Sequence, residues 1–338
     1  MFVSFEKQTL LWFGKTNMFA LLSLGAMFED LERYKSLDFY ARQTVEGFIT
    51  GMHRSPFHGF SVEFAEHRQY TPGESTRNID WKLYGRTNKL FVKRFEEETN
   101  LRCQLVIDHS SSMMLPTEGQ GDLKHPNKLT FACYAAAVLT ELLVRQRDAF
   151  GLSLLSDGID LQTDCRSSRV FQQYLLQLLE AELRGATPAD KGGAEARRST
   201  VITEALHLTA EQLHRRSLVV IFTDAMVQPS DRDPLMDALR HLRHCKHEVL
   251  LFHTLHLGQE VEFDFDNRPT EFIDLESGKR LKVQPAEVME KYREQMRRLT
   301  AELKQHTIQY RIDYQLVDVG LGMDQVLVPY LLKRSRHH

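Results

Sequence analysis

The chain has 338 residues, of which 42% are hydrophobic and 26% charged, with a formal net charge of -3. That length can bury a substantial core, and the near-neutral balance argues against nucleic acid, whose binders need a basic face. Cys103, Cys133, Cys165 and Cys245 stand far apart with no CxxC pair, a pattern that suits core thiols in a reducing compartment rather than a zinc cage.

In chain order, Leu10 to Phe28 is apolar but is interrupted by Lys15 and Asn17, and the clean run from Met18 to Phe28 is too short to span a bilayer. It lacks a strongly basic start and a small-residue cleavage site. Residues 1–30 are therefore expected as an extension, in a cytoplasmic protein without a membrane span, with peripheral association left open. Gly14-Lys15-Thr16 resembles the end of a phosphate loop, but Thr9 stands where the earlier glycine belongs.

Leu31 to Ile49 repeats its apolar residues every three or four positions, which predicts a helix. From Gly51 to Glu98, Gly and Pro punctuate short alternating segments, Phe60 to Phe64 and Leu90 to Phe95, which predict strands. Residues 31–100 are thus expected as a helix plus a small β-rich subdomain, and residues 101–338 as the main domain.

That domain opens with a short apolar strand, Cys103 to Ile107, ending at Asp108. Helices are predicted over Lys128–Arg147, Val170–Leu183, Val201–Leu213, Pro234–His244 and Pro285–Gln305. The intervening strands are Ala149–Leu155, Leu218–Phe222, Val249–Leu255 and Tyr310–Val317, with a hairpin around Ser277-Gly278. Strands alternating with helices argue for an α/β fold with a doubly wound, mostly parallel sheet. Such a sheet binds ligands at the carboxyl ends of its strands.

The chemistry-bearing residues fall at those ends. Asp108-His109-Ser110-Ser111-Ser112 follows the first strand, and alternate hydroxyls in a tight loop can aim their oxygens at one point. Asp224 follows the buried strand through Thr223, and Thr200 opens a helix after the Gly-rich loop. Oxygen donors of this kind suit a hard divalent cation. Mg2+ is expected, with Mn2+ or Ca2+ as alternatives. Two carboxylates and three neutral hydroxyls leave such an ion attractive to an outside Asp or Glu. In this arrangement Ser110, Ser112 and Thr200 coordinate directly, while Asp108 and Asp224 act partly through water.

The pattern Asp108-x-Ser110-x-Ser112 with Thr200 and Asp224 resembles the metal-ion-dependent adhesion site of von Willebrand factor A domains. Upstream, Glu66 to Glu74 with its Tyr70-Thr71-Pro72-Gly73 turn, then Arg77-Asn78-Ile79-Asp80-Trp81, then Phe91 to Glu98, is similar to the bacterial family called domain of unknown function fifty-eight. The resemblance implies a von Willebrand factor A-like fold. It also implies a role beside a MoxR-type AAA+ ATPase, as a cofactor or adaptor in maturing other protein complexes.

Other readings stay beside this one. A metal-dependent phosphoester hydrolase would need a base near the ion, and His109 is the adjacent candidate. A structural scaffold would leave the site empty. Arg68, Arg77, Asp80 and Trp81 are expected to tie the subdomain to the sheet or to bind an acidic partner. His241, His244 and His247 with Cys245 read as helix-end and core residues rather than as a metal site. Glu96-Glu97-Glu98 reads as a solvated strand end.

Overall fold

The computed structural model describes residues 36–53, 67–69, 81–87, 90–93, 101–116, 125–156, 158–185, 198–226, 232–273 and 280–335. In chain order the elements are α1 (Leu37–His53), β1 (His67–Gln69), α2 (Trp81–Thr87), β2 (Phe91–Lys93), β3 (Arg102–Asp108), α3 (Lys128–Arg145), β4 (Ala149–Leu155) and β5 (Ile159–Gln162). They continue with α4 (Arg169–Gly185), α5 (Arg198–Gln212), β6 (Leu218–Thr223), α6 (Arg232–His244), β7 (Glu248–Leu255), β8 (Thr270–Ile273), β9 (Arg280–Val283), α7 (Pro285–Gln309), β10 (Asp313–Asp318) and α8 (Asp324–Ser335).

The central sheet has the order β10-β7-β6-β3-β4-β5. Every neighbouring pair is parallel except the edge pair β4–β5. Strands β3, β4, β6 and β7 are buried almost end to end, as continuous apolar runs require. Because successive side chains point to opposite faces, each run feeds two cores. Leu105, Ile107, Val220, Phe222 and Phe252 meet α1, α3, α4 and α8 on one face. Val106, Val219, Ile221 and Leu251 meet α5, α6 and α7 on the other. Each such aliphatic side chain contributes on the order of 1.5–3 kcal/mol by burial.

Helix α1 offers Leu37, Ala41 and Val45, four residues apart, to the first of these cores. Its Tyr40 meets Tyr134 of α3 edge-on at 4.9 Å. Four alanines of α3, Ala132 and Ala135 to Ala137, are buried, which lets helix and sheet approach closely. In β4, Gly151 has its own reason: a Cβ there would lie 2.9 Å from the Thr163 carbonyl and collide with Gln104.

Three helices stop in the same way before a parallel strand. After α3, Arg147 N donates to Val144 O and Asp148 N to Leu143 O; Lys246 and His247 repeat this after α6, and Arg311 and Ile312 after α7. These are Schellman stops, whose left-handed residue is most often glycine. Here that residue is Arg147 (φ 59°), Lys246 (φ 67°) or Arg311 (φ 57°).

The expected doubly wound sheet is present, with some boundaries moved. Of the helix expected over Leu31 to Ile49, the described part runs Leu37–His53, and residues 31–35 lie outside the described residues. The region expected as β-rich contains the antiparallel pair β1–β2 but also the helix α2. Trp81 and Tyr84 stand three apart there, a helical spacing hidden inside an alternating look. Strand β5 was not expected, since its four residues are only partly buried and lack an apolar run. The last strand begins at Asp313, because Tyr310 and Arg311 form the stop of α7. Phe60 to Phe64, residues 1–30, Glu96-Glu97-Glu98, Arg77 and Asp80 lie outside the described residues, as do the side chains of Arg68 and Trp81.

Candidate ion site at the switch point

The sheet's first strand, β3, lies at its centre; the chain winds away through β4 and β5, then returns to β6 and winds the other way. The crevice between β3 and β6 is therefore the topological switch point, where open α/β sheets bind ligands. Asp108 ends β3 and Asp224 follows β6, so both carboxylates open onto it. The register Ile107 to Phe222 brings Asp108 level with Thr223, whose hydroxyl donates to Asp108 Oδ2 at 2.7 Å.

The loop after β3 turns back at once. Ser110 N donates to Asp108 Oδ1 at 3.0 Å, and Ser110 Oγ shares a hydrogen bond with Ser112 Oγ at 3.0 Å. Ser112 in turn hydrogen-bonds Asp224, whose Oδ1 accepts from Met226 N at 3.0 Å. Four of the five expected ligands, Asp108, Ser110, Ser112 and Asp224, thus form one connected group. Thr200 lies in the first turn of α5, and its side chain is outside the described residues. One turn on, Thr203 is buried, with no partner for its Oγ1 among the described residues.

Sequence reading missed the residue that most changes the electrostatics. Lys128, the first residue of α3, is fully buried, and its ammonium sits 2.7 Å from Asp224 Oδ2 and bonds Glu260 as well. Asn127 caps the helix, accepting from Thr130 N at 2.7 Å. A buried cation at a helix N-terminus opposes the helix dipole and needs carboxylates to compensate it. A lysine directly after a capping asparagine, opening an otherwise apolar helix, was the available signal.

The two aspartates respond differently. Burial, reinforced by the neighbouring Asp224 charge, pushes the Asp108 carboxyl up to about 6. Burial also works to raise Asp224, but the charge and hydrogen bond of Lys128 more than offset it, holding this carboxyl below its usual range. Behind them, His253 Nε2 bonds the Asp224 carbonyl at 2.8 Å, so it carries the proton, and its Nδ1 accepts from the Tyr314 hydroxyl at 2.8 Å. Burial keeps this imidazole neutral, at about 4.

The oxygens present fit a hard cation. Each carboxylate oxygen of Asp108 and Asp224 accepts at least one hydrogen bond, the two oxygens of Asp108 keep a further lone pair each, and the serine hydroxyls stand beside both carboxylates. A buried carboxyl pushed upward by a like charge is one that a cation would relieve. Among the described residues no group of three or more His, Cys, Asp or Glu side chains gathers as a metal cage; the donor set is two carboxylates with hydroxyls.

His109 faces away from this set. Its Nε2 lies 2.6 Å from Asp160 Oδ2 and its Nδ1 3.0 Å from Glu182 Oε1. Both ring nitrogens of His109 are thus engaged by carboxylates on the side away from the ion-site oxygens. His241 pairs with His207 at 2.8 Å, and His247 Nε2 meets the Ala210 carbonyl at 3.1 Å; both contacts lie between α5 and the α6 end. All four cysteines are free, with Cys103 and Cys133 buried.

A cleft of about 870 Å³ opens directly beside Ser112 and Asp224. Its walls are the first turn of α6, strand β8 and α7, with Phe263, Phe272, Tyr292 and Met296 among the apolar surfaces. Phe263 stacks with Phe272 at 5.4 Å and lies 4.6 Å from Tyr292, and it takes a left-handed φ of 50°. For a bulky residue such a backbone is uncommon and tends to occur at functional sites.

Comparisons with known proteins identify a family. Residues 66–305 match the family described as Protein of unknown function DUF58. The uncharacterized proteins Mb1516 of Mycobacterium bovis and Rv1480 of Mycobacterium tuberculosis are each 24% identical over 221 residues, 65% of this chain. The match spans 63% of those relatives' length. Among solved structures, BatB from Bacteroides thetaiotaomicron is 14% identical with a TM-score of 0.41, over 70% of this chain and all of that one. An aerotolerance-related membrane protein from Bacteroides fragilis is 15% identical with a TM-score of 0.40, over 69% of this chain and 97% of that one. No helix among the described residues is long and apolar enough to cross a membrane. With the family match covering most of its length, the chain belongs to the DUF58 family.

Proposed function

We propose that this chain is a metal-dependent protein-interaction module on a von Willebrand factor A-like domain. In this reading it serves a MoxR-type AAA+ ATPase as cofactor or adaptor in the maturation of other protein complexes. The observation that carries the reading is the convergence of Asp108, Ser110, Ser112 and Asp224 at the sheet's switch point. These residues, with Thr200, would hold Mg2+, and the bound ion would supply an electrophilic position for a carboxylate from outside.

Lys128 sharpens that preference. By taking Oδ2 of Asp224 it draws negative charge away from the ion, which then favours a further anionic ligand. Ser110 and Ser112 orient the donors without adding charge. His109, the base candidate read from the sequence, has both nitrogens engaged by Asp160 and Glu182, which favours gripping over hydrolysis. The adjoining cleft gives the residues flanking a partner's Asp or Glu an apolar seat.

The test is a binding assay with the full chain and its Asp108→Ala variant, each against the AAA+ ATPase from the same cell, in Mg2+ and in EDTA. Retention by metal-loaded wild type alone is expected. Equal retention in all four conditions would show that the ion is not the grip.

A further inference from the structure

The edge of the sheet opposite the ion site carries a row of exposed basic residues. In the order in which the strands lie side by side, β10, β7, β6, β3 and β4 are introduced or opened by Arg311, Lys246, Arg216, Arg102 and Arg147. Neighbouring strands lie about 4.8 Å apart, so the row crosses roughly 20 Å of the molecule. All five residues are exposed.

The backbone makes this arrangement unusual. Arg147, Arg216, Lys246 and Arg311 all have left-handed φ, between 57° and 67°, where glycine or asparagine sits without strain. Attraction to a helix carboxyl end accounts for basic residues in the last turn. It does not account for a strained position where glycine closes the helix equally well, nor for Arg102, which opens a strand. Nearby carboxylates are largely occupied: Glu248 and Asp313 hold Lys333 at 2.7 and 2.6 Å, and Asp148 is buried and accepts from Leu101 N. Asp164 and Glu211 are exposed and offset part of the charge. Among the described residues no carboxylate pairs with Arg147, Arg216, Lys246 or Arg311.

We infer that this edge is a docking surface for an anionic lipid bilayer. A row of turn residues offers charge without a helix or ribbon to enter a groove. Among the described residues no exposed Phe, Tyr or Trp interleaves with the row to stack on bases, so it suits a laterally uniform negative surface rather than a nucleic acid. Docked in this way, the molecule presents its ion site away from the membrane, toward soluble partners. The inference does not depend on the metal reading.

The test compares the full chain with the triple variant Arg147→Gly, Lys246→Gly and Arg311→Gly in co-sedimentation with phosphatidylcholine vesicles, with and without 30% phosphatidylserine. Glycine fits these backbone angles, so the variant is expected to melt at the same temperature or higher, and lost binding will not reflect lost folding. Wild type is expected to bind only the anionic vesicles, more weakly as salt rises. The variant is expected to bind about a hundredfold more weakly, from roughly fivefold per charge removed. Equal binding of both chains, or of both vesicle types, overturns the inference. So does binding of wild type to single-stranded RNA with no binding to vesicles.

Discussion

Each of the four carboxylate oxygens of Asp108 and Asp224 already accepts a hydrogen bond, from Ser110, Thr223, Met226 or Lys128, so neither side chain can swing away. Only Asp224 has a cation beside it, and Asp108 bears the electrostatic burden. Its folded pKa of about 6 lies above its ordinary value. The stabilisation from its bound proton is therefore full below about pH 4 and is lost as pH rises through 6. Asp108→Asn removes that loss. In metal-free buffer at pH 7.5 the variant should be more stable than wild type by about 3 kcal/mol at most, with the gap closing near pH 4. Urea unfolding at both pH values measures it, and an equal gap at the two would refute the shift. At this scale the sequence was partly legible. Asp108, Ser110, Ser112 and Asp224 announced themselves by position after apolar strands. Lys128 and Glu260 did not, because their partnership joins segments 132 residues apart that no local pattern connects.

At the scale of elements, the runs buried on both faces were legible because period-two packing demands uninterrupted apolar sequence. Strand β5 and helix α2 were not, since each is short and carries no apolar run or stripe long enough to be read locally. Strand β5 depends on contacts across the edge. Thr163 Oγ1 accepts from Leu152 N at 2.9 Å, and Gln104 donates to Ser153 Oγ at 2.9 Å beneath it. Gly151 leaves room for both. Gly151→Ala is expected to destabilise the fold by about 1–3 kcal/mol, since the added carbon meets backbone as well as a side chain. A chemical-denaturation midpoint unchanged from wild type would mean that the edge gives way without strain. The Schellman stops show a complementary limit. Their place was legible in the helix-to-strand alternation, but nothing local in a lone arginine or lysine reports a left-handed backbone.

Across the whole molecule, the loops at the carboxyl edge belong to different halves of the winding and are joined through Lys128, whose ammonium ties α3 to the turn after β6 and to the segment holding Glu260. Mg2+ should therefore slow amide exchange at Ser110–Leu115 and Ala225–Met226 together, by stabilising the form that binds it, while leaving β5 unchanged. Mass-spectrometric exchange with and without Mg2+ reads this directly. Slowing in only one of the two loops would show that they do not act as one site.

The winding order also sets a sequence in time. Thr223 and Asp108, whose side chains meet, are 115 residues apart in the chain. During synthesis β3 and its serine loop emerge long before β6, and the crevice has one wall until β6 docks against β3. A nascent or truncated chain ending before residue 218 carries Asp108, Ser110 and Ser112 but not the opposing carboxylate. On the proposed metal reading, tight ion capture would follow completion of the central sheet, and a partner that recognises the loaded ion would engage finished molecules and pass over partial ones.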